Sequence, residues 1–131
     1  KLSREDAETG KTQLDLRELI NQSGPTENPP LRILQPHVDD LVREMRRSLN
    51  YYQSQQTESG KPAQVTHIMV TGGGAKLAGL DDYIAHKLGQ STAAVGVLDH
   101  PGVVAAFPEE LGHGHDLAVA SGLAMRTAKA A

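Results

Sequence analysis

The segment 65–88, VTHIMVTGGGAKLAGLDDYIAHKL, constrains the fold more than any other part of the chain. It begins with a short apolar run rich in β-branched residues, which predicts a buried strand. Gly72, Gly73 and Gly74 follow, and glycine allows both a turn through positive φ and the approach of a ligand to bare backbone. An amphipathic helix is then predicted from Leu80 to Leu88, with two acids in its first turn and a glycine after its last residue.

A glycine turn after a strand is a candidate nucleotide site, because ligands of open α/β sheets bind beyond the carboxyl ends of the strands. This turn is neither G-x-G-x-x-G nor a P-loop ending in G-K-[ST]. On this segment alone, a tight turn that only packs the helix against the strand is favoured at least as much. The segment therefore predicts an α/β fold and leaves the role of the glycines open.

Composition excludes several classes of partner. The chain has 131 residues, an aromatic content of 3% and a net charge of −3, which argue against nucleic-acid binding. The chain has no cysteine, so it has no disulfide and no thiolate metal site. No apolar run is as long as a membrane span, so we expect no direct membrane insertion. The chain starts at Lys1, without a methionine, and we expect it to be part of a longer protein.

Two further helices are predicted in the N-terminal half. A capping-box pattern at 3–6 predicts a helix through Lys11, on which Glu8 and Lys11 share a face. Taken alone, that pair favours an exposed salt bridge. The longest helix is predicted over 36–56, with Pro36 in its first turn and one buried apolar stripe. The stripe consists of Val38, Leu41, Val42, Met45, Leu49 and Tyr52.

The C-terminal third predicts a second strand at 93–98, a loop containing His100 and a last helix over 116–128. Asp116 is the predicted N-cap of that helix. Its predicted buried stripe consists of Leu117, Ala120, Leu123 and Ala124. His113, His115 and Asp116 could supply metal ligands, but the flanking glycines and the absence of a further ligand at a known spacing favour a polar loop.

Three motifs together resemble a known family: AETGK at 7–11, VREMRRSLNYY at 42–52 and VTGGGAKLAGLDDYI at 70–84. In this order they resemble the C-terminal half of the PilM family, the actin-like ATPases of type IV pilus assembly. The ending LAVASGLAMR at 117–126 is similar to that family's last helix. The glycine motif alone also resembles cell-division and cell-shape actins, heat-shock chaperones and sugar kinases, and the motif at 42–52 indicates PilM.

The resemblance implies an actin-like, ribonuclease H-like fold that binds ATP and Mg²⁺ in a cleft between two lobes. Residues 1–35 would belong to the lid subdomain IIB and residues 36–131 to the core subdomain IIA. Gly72, Gly73 and Gly74 would form the adenosine motif. Glu8 would bind the ribose hydroxyls, and Lys11 would line the adenine.

The resemblance also implies which parts of such a protein lie upstream of this chain. These are the phosphate loops that hold Mg²⁺ and the subdomain that binds the inner-membrane protein PilN. We therefore expect a cytoplasmic protein held at the inner membrane through its partners. The chain alone is expected to carry half a nucleotide site and to hydrolyse no ATP. Because it would expose its cleft face, we expect domain swapping or dimerisation.

Three functional hypotheses follow. The first is an ATP-binding scaffold of the pilus or competence machinery, in which nucleotide sets the closure of the lobes. The second is a small-molecule kinase of the same superfamily, which would need an upstream aspartate base. The third is an interaction module in which the glycines are only structural.

Overall fold

The computed structural model describes residues 14–21, 26–58, 64–101, 103 and 112–128. The helices are α1 (Pro29–Glu58), α2 (Leu80–Leu88) and α3 (Ala118–Ala128), and the strands are β1 (His67–Val70) and β2 (Ser91–Ala94). Short 3₁₀ turns lie at Leu16–Leu19, Gly73–Lys76, Val97–Asp99 and His115–Leu117. The predicted first helix, with Glu8 and Lys11, lies outside the described residues.

The two strands form a parallel pair, with His67 opposite Ser91 and Val70 opposite Ala94. Parallel strands need a crossover connection, and α2 supplies it. The predicted order of strand, glycine turn, helix and strand is therefore confirmed, and it is an α/β arrangement. The second strand was predicted too late in the chain, because Val97–Asp99 leaves the sheet as a 3₁₀ turn.

Strand β1 is not buried on both faces, contrary to the prediction. Ile68 and Val70 are half-buried and pack against the core, whereas Met69 is 77% exposed. Burial alternates because successive side chains of a strand point to opposite faces, and only one face of this pair packs against the core. The apolar run thus located the strand but overestimated its burial.

The core lies between α1, α2 and the turn at Leu16–Leu19, below one face of the sheet. It consists of Leu16, Leu31, Val38, Val42, Leu77, Leu80, Tyr83 and Ile84. Helix α2 begins at Leu80 as predicted. Its C-cap is Gly89, which has a left-handed φ of 69° and donates its N–H to the carbonyl of Ala85. The predicted stripe of α1 is confirmed at Val38 and Val42, whereas Leu41 and Tyr52 are exposed.

Helix α1 begins at Pro29, whereas the prediction placed its start at Pro36. Pro29 and Pro30 fit a first helical turn, where no backbone N–H is required. The segment before them is fixed by the Asn28 N–H, which donates to Thr26 Oγ1 over 3.1 Å. Pro36 lies inside the helix and removes one intrahelical hydrogen bond there. The hypothetical subdomain boundary between residues 35 and 36 falls within this helix and stays a prediction.

Helix α3 differs from its prediction in both its start and its burial. A 3₁₀ turn at His115–Leu117 precedes it, and Gly114, with a φ of 67°, takes the N-cap position of that turn instead of Asp116. Leu123 is 59% exposed, and Val119 and Met125 are exposed as well. Ala120 and Ala124 of the predicted stripe are exposed too, so the prediction of a buried stripe is wrong. No helix in the described ranges is long and apolar enough to span a bilayer.

Candidate functional site at the glycine turn

The carboxyl ends of the two strands lie side by side and form the candidate site. Val95 donates its N–H to the carbonyl of Val70 over 2.8 Å, so the strands stay paired up to this edge. Strand β1 continues into Gly72 and strand β2 into Gly96. This is the edge at which α/β sheets bind ligands.

The three glycines of the turn are not equally required by the structure. Gly72 has a φ of 94°, a conformation that L side chains rarely adopt, so the backbone requires glycine there. Gly73 and Gly74 have no positive φ. A Cβ built at Gly74 would meet no atom within 4 Å. Neither backbone conformation nor packing among the described residues therefore explains the glycine at position 74.

Gly79, in the same motif, has a purely architectural explanation. Its φ is 72°, and a Cβ there would lie 2.6 Å from Asp15 Oδ1 and 2.9 Å from the backbone nitrogen of Arg17. The chain passes this closely because Leu16 donates its N–H to the carbonyl of Ala78 over 2.9 Å. The contrast with Gly74, which borders open space, separates a packing glycine from one that leaves backbone accessible.

The segment 112–117 lies against the same edge of the sheet. The carbonyl of His115 accepts hydrogen bonds from the Gly72 N–H over 3.0 Å and from Thr71 Oγ1 over 3.2 Å. The carbonyl of His113 accepts the N–H of Leu98 over 3.2 Å. Backbone contacts thus hold the entry to α3 on the turns that follow both strands.

Lys76 and Asp116 form an ion pair across the glycine turn, between Lys76 Nζ and Asp116 Oδ2. A Cβ built at Gly73 would lie 3.3 Å from Asp116 Oδ1, so the carboxylate of Asp116 lies close to the glycine turn. Sequence reasoning missed Lys76 as a site residue. It considered Asp116 as an N-cap and as a metal ligand, and not as the partner of Lys76. The two residues are 40 positions apart, and no local pattern links them.

His113 and His115 are two further polar residues near the edge. His113 Nδ1 lies 3.0 Å from Asp99 Oδ1, and Gly96 donates its N–H to Asp99 Oδ2 over 2.7 Å. The pKa of Asp99 is held below its usual value mainly by the hydrogen bond with His113 and, to a smaller extent, by the one from Gly96. Within the described ranges, no group of three or more potential ligands could hold a metal ion.

An apolar groove of about 280 Å³ lies between the sheet and α3, next to this edge. Its lining includes Met69, Thr71, Val95, Gly96 and Met125. Of the predicted site residues, the structure brings Gly72, Gly73 and Gly74 to the edge of the sheet. Glu8 and Lys11 lie outside the described residues, and their roles stay predictions.

Comparison with known proteins agrees with the motif resemblance. A family model described as type IV pilus assembly protein PilM matches residues 1–128. The match includes every helix and strand described above. No curated protein and no solved structure gives a significant match to the chain.

Proposed function

We propose, since the chain belongs to the family of the type IV pilus assembly protein PilM, that it forms the adenosine side of an ATP-binding cleft. In this proposal residues 36–131 are the core subdomain of an actin-like scaffold. Residues 1–35 contribute to its lid. The protein would bind ATP with Mg²⁺, while residues outside this chain hold the outer phosphates and the metal.

The observation that carries the proposal is the bare backbone at Gly74. Within the described residues, neither the backbone conformation nor packing requires glycine at position 74, and a Cβ there would point into open space. Open space beside glycine backbone, at the carboxyl edge of a parallel pair, suits the nucleoside and α-phosphate of a nucleotide. The residues present therefore fit the cofactor that the family implies.

The remaining roles follow from the family resemblance. Glu8 would bind the ribose hydroxyls, and Lys11 would line the adenine, from the lid side of the cleft. Nucleotide occupancy would set the closure of the lobes and so favour one partner-binding state over another. The partners would be inner-membrane pilus proteins such as PilN, bound at the cytoplasmic face of the membrane.

The proposal predicts that Gly74→Val weakens MgATP binding to the full-length protein at least tenfold. The valine side chain would fill the space that the nucleotide needs, whereas the φ of Gly74 permits a side chain without backbone strain. Isothermal titration calorimetry on the full-length protein measures the effect. That protein is required because the phosphate loops are expected outside this chain.

Asn50→Val is the control, because Asn50 is exposed on α1 and lies outside both the glycine turn and the groove beside it. We expect this variant to bind MgATP like the unmodified protein. If Gly74→Val binds MgATP as well as the control does, with both folded, the glycine turn is only architecture. The nucleotide roles of Glu8 and Lys11 would then be abandoned with it.

A further inference from the structure

The Lys76–Asp116 ion pair has no role in the family resemblance or in the proposed function. Lys76 ends the 3₁₀ turn Gly73–Lys76, and Asp116 belongs to the turn that leads into α3. Their side chains are 53% and 48% exposed, so a ligand in solvent can reach both. An exposed ion pair of this kind contributes little to stability, so a contribution to folding does not account for its presence.

The carboxylate of Asp116 lies where an anionic ligand would approach. One of its oxygens is 3.3 Å from the position of a Cβ at Gly73, and the other engages Lys76 Nζ. A phosphate that comes to the bare glycine backbone would meet this negative charge. It would also find the neighbouring ammonium, a common phosphate ligand, already paired.

We propose that Lys76 is a phosphate-binding residue of the glycine turn and that Asp116 is its intramolecular counter-ion, which the bound phosphate displaces. The proposal rests on the proposed function and names a second group of the same site. Displacement of Asp116 acts next to His115, whose carbonyl accepts hydrogen bonds from Gly72 and Thr71. Phosphate binding is thereby coupled to the contact that holds the start of α3 on the turn.

Calorimetry on the full-length protein tests this proposal, with MgATP and neutral adenosine as separate ligands. Asp116→Asn is expected to tighten MgATP binding about two- to fivefold, which is the value of an exposed ion pair. Lys76→Gln is expected to weaken MgATP binding about tenfold, the value of a hydrogen bond to a charged group. Neither substitution should change the affinity for adenosine, which carries no phosphate.

The double variant separates displacement from general repulsion. If Asp116 acts by occupying Lys76, then Asp116→Asn has less than about a twofold effect in the Lys76→Gln background. Equal tightening in both backgrounds would show that Lys76 is not the group being released, and it would overturn the proposal. Asp116→Ser provides a second variant without the charge, should Asp116→Asn fold poorly.

The outcomes also distinguish this inference from the proposed function. If the unmodified protein binds MgATP and Gly74→Val does not, but Asp116→Asn leaves binding unchanged or weaker, only the role of the ion pair is wrong. If the unmodified protein binds no MgATP, the proposed function fails and this inference fails with it.

Discussion

Tyr83→Ala is expected to lower the free energy of unfolding of the chain by about 4 kcal/mol, the range found for aromatic-to-alanine changes in cores. Tyr83 is fully buried, and its ring packs among the core side chains of α1 and α2. Its hydroxyl donates to Asp39 Oδ1 over 2.7 Å, and Lys87 Nζ lies 3.4 Å from the same oxygen. Burial, with the hydrogen bond to Asp39, raises the pKa of Tyr83, so the phenol keeps its proton.

Urea denaturation of the chain measures this loss, and two further variants divide it. Tyr83→Phe keeps the ring and removes the hydroxyl, so we expect a loss of about 1 kcal/mol. Tyr51→Ala is the exposed control, because Tyr51 is 64% exposed, and its loss should stay below about 1 kcal/mol. Equal losses for Tyr83→Ala and Tyr51→Ala would contradict the position of Tyr83 at the centre of the core.

Gly96→Ala is expected to destabilise the chain by about 3 kcal/mol, at the upper end of overpacking effects. A Cβ at Gly96 would lie 1.9 Å from the carbonyl oxygen of His113 and 2.6 Å from its carbon. These are backbone atoms, so the contact cannot be relieved by turning a side chain. Gly96 has a φ of −100°, so the effect comes from the steric overlap with His113 and not from backbone strain at residue 96.

Gly122→Ala is the matched control for this prediction, measured by the same urea titration. A Cβ there meets no atom within 4 Å, and alanine favours a helix more than glycine does. We expect this variant to be as stable as the unmodified chain or slightly more stable. Should Gly96→Ala prove equally mild, the segment 112–117 does not rest on the end of β2, and the description of the site is wrong.

The sequence predicted most of the fold where the signals were local. Helix α2 and the turn before it were predicted because the first-turn acids, the apolar stripe and the C-terminal glycine all lie within one short segment. Burial was harder to predict. Met69 in β1 and Leu123 in α3 are apolar residues that are exposed in the described part of the chain. Their burial was mispredicted because the periodicity of apolar residues does not show whether another element covers that face.

The start of α1 was mispredicted because two signals of the same kind compete. Both Pro29 and Pro36 suit a first helical turn, and the helix begins at the earlier one, directly after Asn28, whose N–H donates to Thr26 Oγ1. The interior proline is tolerated in a helix of 30 residues, most of whose hydrogen bonds remain.

The candidate site was predictable only in part, because a sequence shows local motifs but not contacts between distant residues. Gly72, Gly73 and Gly74 form a contiguous motif, so their position at the strand end followed from the sequence. The pairing of Lys76 with Asp116 depends on how α3 returns to the sheet, which no local pattern specifies.

Hydrogen exchange of the full-length protein, with and without saturating MgATP, tests the central claim most directly. If the glycine turn contacts the nucleotide, amide exchange in a peptide covering 71–77 slows several-fold on addition of MgATP. A peptide covering 43–48, on the exposed charged part of α1, serves as the internal control and should not change. MgATP binding that protects other peptides and leaves 71–77 unchanged would contradict the account, because the nucleotide would then lie away from the glycine turn.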